Sequence, residues 1–138
     1  MTTATKTLRL RQGLRDEIER IAKRTRSSFS EVTQDLIDEA LRMRKFPGIY
    51  FADEPAGREV KIAGTGLAVW EVISVYKAVS KDERALRKRF SWLTDAQIKA
   101  VLIYYRCYPD EIDALVIENE MSAPEVPEAL ASGPARRA

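Results

Sequence analysis

The stretch TLRLRQGL, residues 7–14, decides how the first third of this chain is read. Leu8 and Leu10 alternate with Thr7, Arg9 and Arg11, which is the two-residue period of a strand. The extended run ends at Gly13 after about five residues, and a helical pattern follows at once. Leu14, Ile18, Ile21 and Thr25 recur at steps of four, three and four, with Arg15, Glu19, Lys23 and Arg26 on the opposite side. Ser28 and Glu31 have the S-x-x-E spacing of a capping box, so a second helix is expected to start near Phe29. Val32, Leu36, Ile37, Ala40 and Leu41 form its apolar positions, and KFPG at 45–48 closes it.

Composition narrows the function classes. The chain has 138 residues, 45% hydrophobic and 32% charged, which suits folded domains. No apolar run reaches the roughly 18 residues of a membrane span, and the start lacks the apolar block of a signal peptide, so a soluble protein without a membrane partner is expected. A single cysteine, Cys107, fits a reducing cytoplasm. The absence of histidine removes most metal sites and nucleophile–base pairs, so no metal, cofactor or enzymatic activity is expected. Asp53, Glu54, Asp110, Glu111 and Asp113 could act as acid–base pairs only if distant ones converge. The net charge is +2, yet residues 1–30 carry eight basic and three acidic side chains, +5 by count, which leaves −3 for the rest. A basic head on a near-neutral body suggests a polyanion as the head's partner.

A unit of about 45 residues with one strand and two helices is too small to bury an adequate core, and a lone strand leaves its backbone groups unpaired. Antiparallel pairing with the same strand of a second copy answers both problems. Leu8, Leu10, Leu14, Ile18, Ile21, Val32, Leu36 and Ile37 would then form a shared dimer core. Thr7, Arg9 and Arg11 of both chains would face outward on a ribbon that fits the DNA major groove. The alternative is an arginine-decorated edge strand that only resists aggregation.

With these features, residues 7–45 resemble the ribbon-helix-helix domains of the Arc, MetJ and CopG superfamily. The resemblance rests on L-x-L at 8–10, the helix from Leu14, the turn at 26–28 and SFSEVTQDLIDEAL. It implies an intertwined homodimer, or a higher oligomer, on a palindromic operator in double-stranded DNA. Thr7, Arg9 and Arg11 match the base-contacting positions, and Ser28, Phe29 and Ser30 match the helix start that holds a phosphate. One departure is the inter-helix turn, where the superfamily often has glycine and this chain has TRSS.

The remainder has a different texture. Extended runs at 49–52 and 59–62 flank a turn with Pro55 and Gly57, and GTG at 64–66 reads as a second turn rather than a phosphate cradle. Helices are expected over 68–79, 81–90, 95–107 behind a Thr94 cap, and 109–118. Trp70 and Trp92 are expected as core or interface anchors, and Tyr105 is expected to be buried. Arg84, Arg87 and Lys88 share one helical face, which offers a second basic contact. Residues 58–73 and 90–113 resemble a group of small helix-turn-helix-like domains associated with antitoxins, through Gly64, Thr65, Leu67, Val69, Trp70, Leu93, Thr94, Ile98, Pro109, Glu111 and Ile112. The arginine of that pattern is replaced by Gly66. This second resemblance implies a cognate toxin, often a PIN-type ribonuclease, as partner.

The expected architecture is therefore mainly α with short β. A ribbon-helix-helix unit (1–45) precedes a β-hairpin-plus-helices, winged-helix-like domain (46–120) and a flexible tail (121–138). The expected function is a dimeric DNA-binding regulator and antitoxin; the alternative is an assembly module whose ribbon only dimerises.

Overall fold

A computed structural model describes residues 2–122; the tail expected over 121–138 lies outside them except for its first two residues. The chain divides after Arg42 into two compact units. Among the described residues it is mainly helical, with six helices and one antiparallel hairpin. No helix among them is long and apolar enough to cross a membrane.

The first unit holds α1 (Gln12–Thr25) and most of α2 (Phe29–Lys45). Gly13 does not delay α1 as its place in the sequence suggests. It lies in the first turn, where backbone N–H groups need no helical acceptor, and Arg15 N–H already bonds Arg11 O at 3.1 Å. Residues 2–11 form neither helix nor strand in the single chain. Ile18, Ala22 and Val32 are buried, with Leu10, Ile21 and Phe29 half-buried against them. The turn between the helices is closed without glycine. Arg26 takes the left-handed conformation (φ 57°, ψ 39°), its N–H reaches Lys23 O, and Ser27 N–H reaches Ala22 O at 2.9 Å. This is a Schellman closure with arginine at the position that favours glycine.

In the second unit, β1 (Ile49–Glu54) and β2 (Gly57–Ile62) pair without interruption from Ile49↔Ile62 to Glu54↔Gly57. The hairpin is longer than the expected runs because only Pro55 and Ala56 turn it. Ile49, Val60 and Ile62 are buried on one face. Helix α3 (Val69–Ala78) is followed by a turn in which Ser80 and Lys81 are both left-handed. That turn, and the Asp82 carboxylate accepting from Arg84 and Ala85 N–H, delay α4 (Glu83–Arg89) by two residues relative to expectation. Helix α5 (Asp95–Cys107) starts behind Thr94, whose hydroxyl accepts from Gln97 N–H at 3.1 Å. Helix α6 (Pro109–Ser122) extends four residues beyond the expected end, and its Glu120 reaches the buried Ser74 hydroxyl at 3.4 Å.

Val69, Val72, Ile73, Leu86, Phe90, Ile98, Val101, Tyr104 and Ile112 fill one core. Trp70 and Trp92 are half-buried against it, as expected of anchors, and Tyr105 is buried, as expected. Tyr104 is buried more completely than Tyr105, packing edge-on to Phe46 and donating to Glu111 at 3.2 Å. The Tyr105 hydroxyl donates to Asp113 at 2.7 Å, and Lys77 approaches the same carboxylate oxygen at 2.6 Å. The Lys77 and Tyr105 hydrogen bonds hold Asp113 below the usual carboxylate range. Burial, with Asp113 adding to it, pushes Tyr105 up to about 12.

Two outcomes follow from this geometry. Arg26→Gly removes a left-handed L-residue and should stabilise the chain by about 1 kcal/mol, read as a higher urea midpoint by circular dichroism; an unchanged or lower midpoint contradicts this. For Tyr105, the folded pKa lies above the unfolded value of 10, so its stabilisation is complete below that value and fades as pH rises toward about 12. Tyr105→Phe should flatten the stability profile over that window relative to the parent. Parallel profiles would remove the hydroxyl from the energetics.

Candidate nucleic-acid interface

The basic character of the first unit is concentrated before and along α1. Thr7, Arg9 and Arg11 are all exposed, on the segment that leads into the helix. Arg11 itself is extended (φ −59°, ψ 143°) and caps α1 without a side-chain bond. Leu10 packs against Ile18, Ala22 and Val32, whereas Leu8 is exposed, so the two leucines that the alternation set on one side do not share an environment in the single chain.

The apolar side chains expected to form a shared core divide sharply. Ile18 and Val32 are buried and Leu10 and Ile21 half-buried, but Leu8 is 62% exposed, Leu14 44%, Leu36 38% and Ile37 49%. Leu41, the next position along α2, is 61% exposed. On a helical wheel Val32, Leu36, Ala40, Ile37 and Leu41 form one continuous arc of α2. The single chain therefore covers only one margin of that arc.

Ser28 forms the capping box its spacing predicts. Glu31 N–H bonds Ser28 Oγ, and Ser28 N–H bonds Glu31 Oε1, each at 3.0 Å. The Ser28 backbone and hydroxyl bonds hold Glu31 below the usual carboxylate range. This arrangement sharpens what the helix start can offer a phosphate. The N–H groups of Ser28 and Glu31 are taken, whereas those of Phe29 and Ser30 belong to the first turn, which has no helical acceptors. The Ser30 hydroxyl accepts from Gln34 at 3.0 Å. An anion at this end would meet the helix dipole favourably and the Glu31 carboxylate unfavourably.

The three cations expected as a second basic contact do not act alike. Arg87 is half-buried and pairs with Asp95, bracing α4 against the start of α5. Arg84 and Lys88 are exposed on α4. Helix spacing does not announce the Arg87 partner, because it lies on the next helix, across the 90–94 turn.

Four of the five acids considered for acid–base chemistry have local partners. Asp53 pairs with Arg58 at 3.2 Å and Glu54 with Lys61 at 2.6 Å, while Glu111 and Asp113 take the two tyrosine hydroxyls. Burial raises Glu59, which accepts from the Trp70 indole at 3.4 Å. At GTG, Gly64 and Gly66 have φ of 84° and 76°. With Tyr50 they line an open groove of about 350 Å³. The Thr65 hydroxyl donates to Ile62 O and accepts from Leu67 N–H, both at 2.9 Å, so a buried threonine ties a turn whose Gly64 is exposed. Compared with protein-family models, curated protein sequences and solved structures, the chain has no significant match.

Proposed function

We propose that this chain is a cytoplasmic, homodimeric DNA-binding regulator whose first unit is a ribbon-helix-helix domain. The observation that carries the reading is the incomplete core of that unit. Three buried side chains cannot stabilise a segment of some forty residues. Its exposed leucines and Ile37 lie where a second copy would cover them. Pairing of residues 7–11 across a two-fold would satisfy their backbone groups, bury Leu8 with Leu10, and leave Thr7, Arg9 and Arg11 facing a major groove. Phe29 and Ser30 N–H would then approach a phosphate.

Under the same proposal, the second unit is a winged-helix-like domain that binds a partner or, through Arg84 and Lys88, a second stretch of DNA, and the whole is the antitoxin of a toxin–antitoxin pair. The residues behind the antitoxin resemblance are mostly structural here. Thr65 ties a turn, Leu67, Val69, Ile98 and Ile112 are core, Thr94 caps α5 and Pro109 opens α6. They speak for a shared fold more directly than for a toxin. Co-expression with the product of the adjoining reading frame checks the toxin half: a stable complex is expected, and two proteins that purify apart count against it.

One observation favours the second reading, an assembly module without specific DNA binding: the Glu31 carboxylate stands at the helix end where a phosphate would dock. Fluorescence anisotropy with the chain's own upstream DNA, over a range of salt, separates the two. Arg9→Ala should cost about 1–3 kcal/mol and weaken sequence preference. Equal affinities for the parent, Arg9→Ala and Arg11→Ala proteins would favour the assembly module. Leu10→Asp should unfold the first unit by placing a charge in the shared core; a folded monomer of that variant, seen by sedimentation and circular dichroism, argues against the intertwined dimer.

A further inference from the structure

The hairpin of the second unit has one edge closed and one open. Beyond β2, Ile62 N–H bonds Leu67 O at 2.8 Å and Lys61 bridges to Ala68, so the chain itself covers that edge. Beyond β1, among the described residues, no strand is paired.

The direction of the open groups follows from the ladder. Ala63 N–H bonds Gly48 O at 2.8 Å, so the Gly48–Ala63 pair faces inward. Antiparallel pairs alternate between inward and outward hydrogen bonding. Ile49, Phe51 and Asp53 therefore turn their backbone groups outward. The Ile49 N–H is used by Phe46 O at 3.3 Å, which agrees with this direction. Phe51 and Asp53 keep both N–H and C=O on the open side.

This edge lacks the usual protections. It has no bulge, since all six pairs of the register are continuous, and no lysine or internal proline. Its two acids are paired within the hairpin, Asp53 with Arg58 and Glu54 with Lys61. An unprotected edge invites a further strand.

We infer that the open edge of β1 pairs with β1 of the second copy, in antiparallel register about a two-fold at Ala52, to make a four-stranded sheet. This rests on the homodimer of the proposed function. Only Phe46–Gly48 separate α2 from β1, so a dimer held by its first units supplies the second β1 at high effective concentration. The register is chosen by the open groups. Centring on Ala52 sets Phe51 opposite Asp53 of the other copy in both directions, which uses every outward N–H and C=O of those two residues. Centring on Phe51 instead would pair Asp53 with Ile49, whose N–H is already taken. In the chosen register Ala52, the smallest side chain of the strand, meets its copy at the close non-hydrogen-bonded position. Asp53 and Glu54 face Phe51 and Tyr50, so no like charges are opposed.

The test uses the full chain with Cys107→Ser as background and Ala52→Cys as the probe. Mild oxidation should give a disulfide-linked dimer that still sediments as two chains and still binds DNA. Asp53→Pro, added to the probe, removes an outward N–H and leaves the hairpin ladder intact; it should abolish the cross-link while leaving the circular dichroism spectrum and the dimer unchanged. An Ala52→Cys chain that remains folded and dimeric but forms no cross-link overturns the β1 pairing and leaves the first-unit dimer standing. A chain that is monomeric and does not cross-link overturns both. Cross-linking that persists in Asp53→Pro, or that yields four-chain species, also overturns the inference.

Discussion

The Thr65 hydroxyl sits at the corner from which the second unit is built. It donates to Ile62 O and accepts from Leu67 N–H, while Ile62 N–H returns to Leu67 O. A buried hydroxyl with both its donor and an acceptor site used is fixed in place, and so are the strand end and helix start it joins. Gly64 and Gly66 supply the positive φ values that let the chain reverse within so few residues. Glu71, one turn into α3, accepts from Ala68 N–H at 2.9 Å and completes the corner. Ile62, Leu67, Val69 and Val72 are thereby delivered to one core, on which α4, α5 and α6 close. An arginine at position 66 would have to take a left-handed φ, so Gly66 is part of how this turn is made.

The first unit follows the opposite logic. Its helices are locally well specified, by a capping box at Ser28 and a Schellman closure at Arg26, yet they bury little. Local bonds set where helices start and stop at about 1 kcal/mol each. They do not replace the apolar burial that stabilises a fold, which is worth about 1.5–3 kcal/mol for each large side chain fully buried. The proposed dimer would supply that missing burial, and the proposed DNA binding would then belong to the assembled ribbon rather than to either chain alone. Charge distribution agrees, because the excess of arginine and lysine belongs to the segment that would form the ribbon and the helix behind it.

Both proposed interfaces express one principle: each lies where backbone or apolar groups of the chain have no partner of their own. Residues 7–10 form no strand in the single chain, and Phe51 and Asp53 of β1 turn their backbone groups outward. The difference is charge. The first segment carries exposed Arg9 and Arg11, suited to a polyanion, whereas the acids of β1 are paired with basic residues of the hairpin, suited to a like strand.

Much of this protein was determined by sequence alone. The Ser28 and Thr94 caps, the stop at Pro47, the hairpin turn around Pro55 and the apolar periods of α3 and α5 are local signals, because capping bonds and helical periodicity involve residues three or four apart. The start of α4 is not legible in the same way, since Ser80 and Lys81 adopt a left-handed turn that neither residue type announces. Gly13 likewise reads as a break in the sequence and is a tolerated first-turn residue in the fold. What only the tertiary structure decided are the pairings between distant elements: Arg87 with Asp95, Tyr105 with Asp113 and Lys77, Ser74 with Glu120, and the closed and open edges of the hairpin. Those depend on how helices and strands are set against one another in space, and no spacing along the chain encodes that.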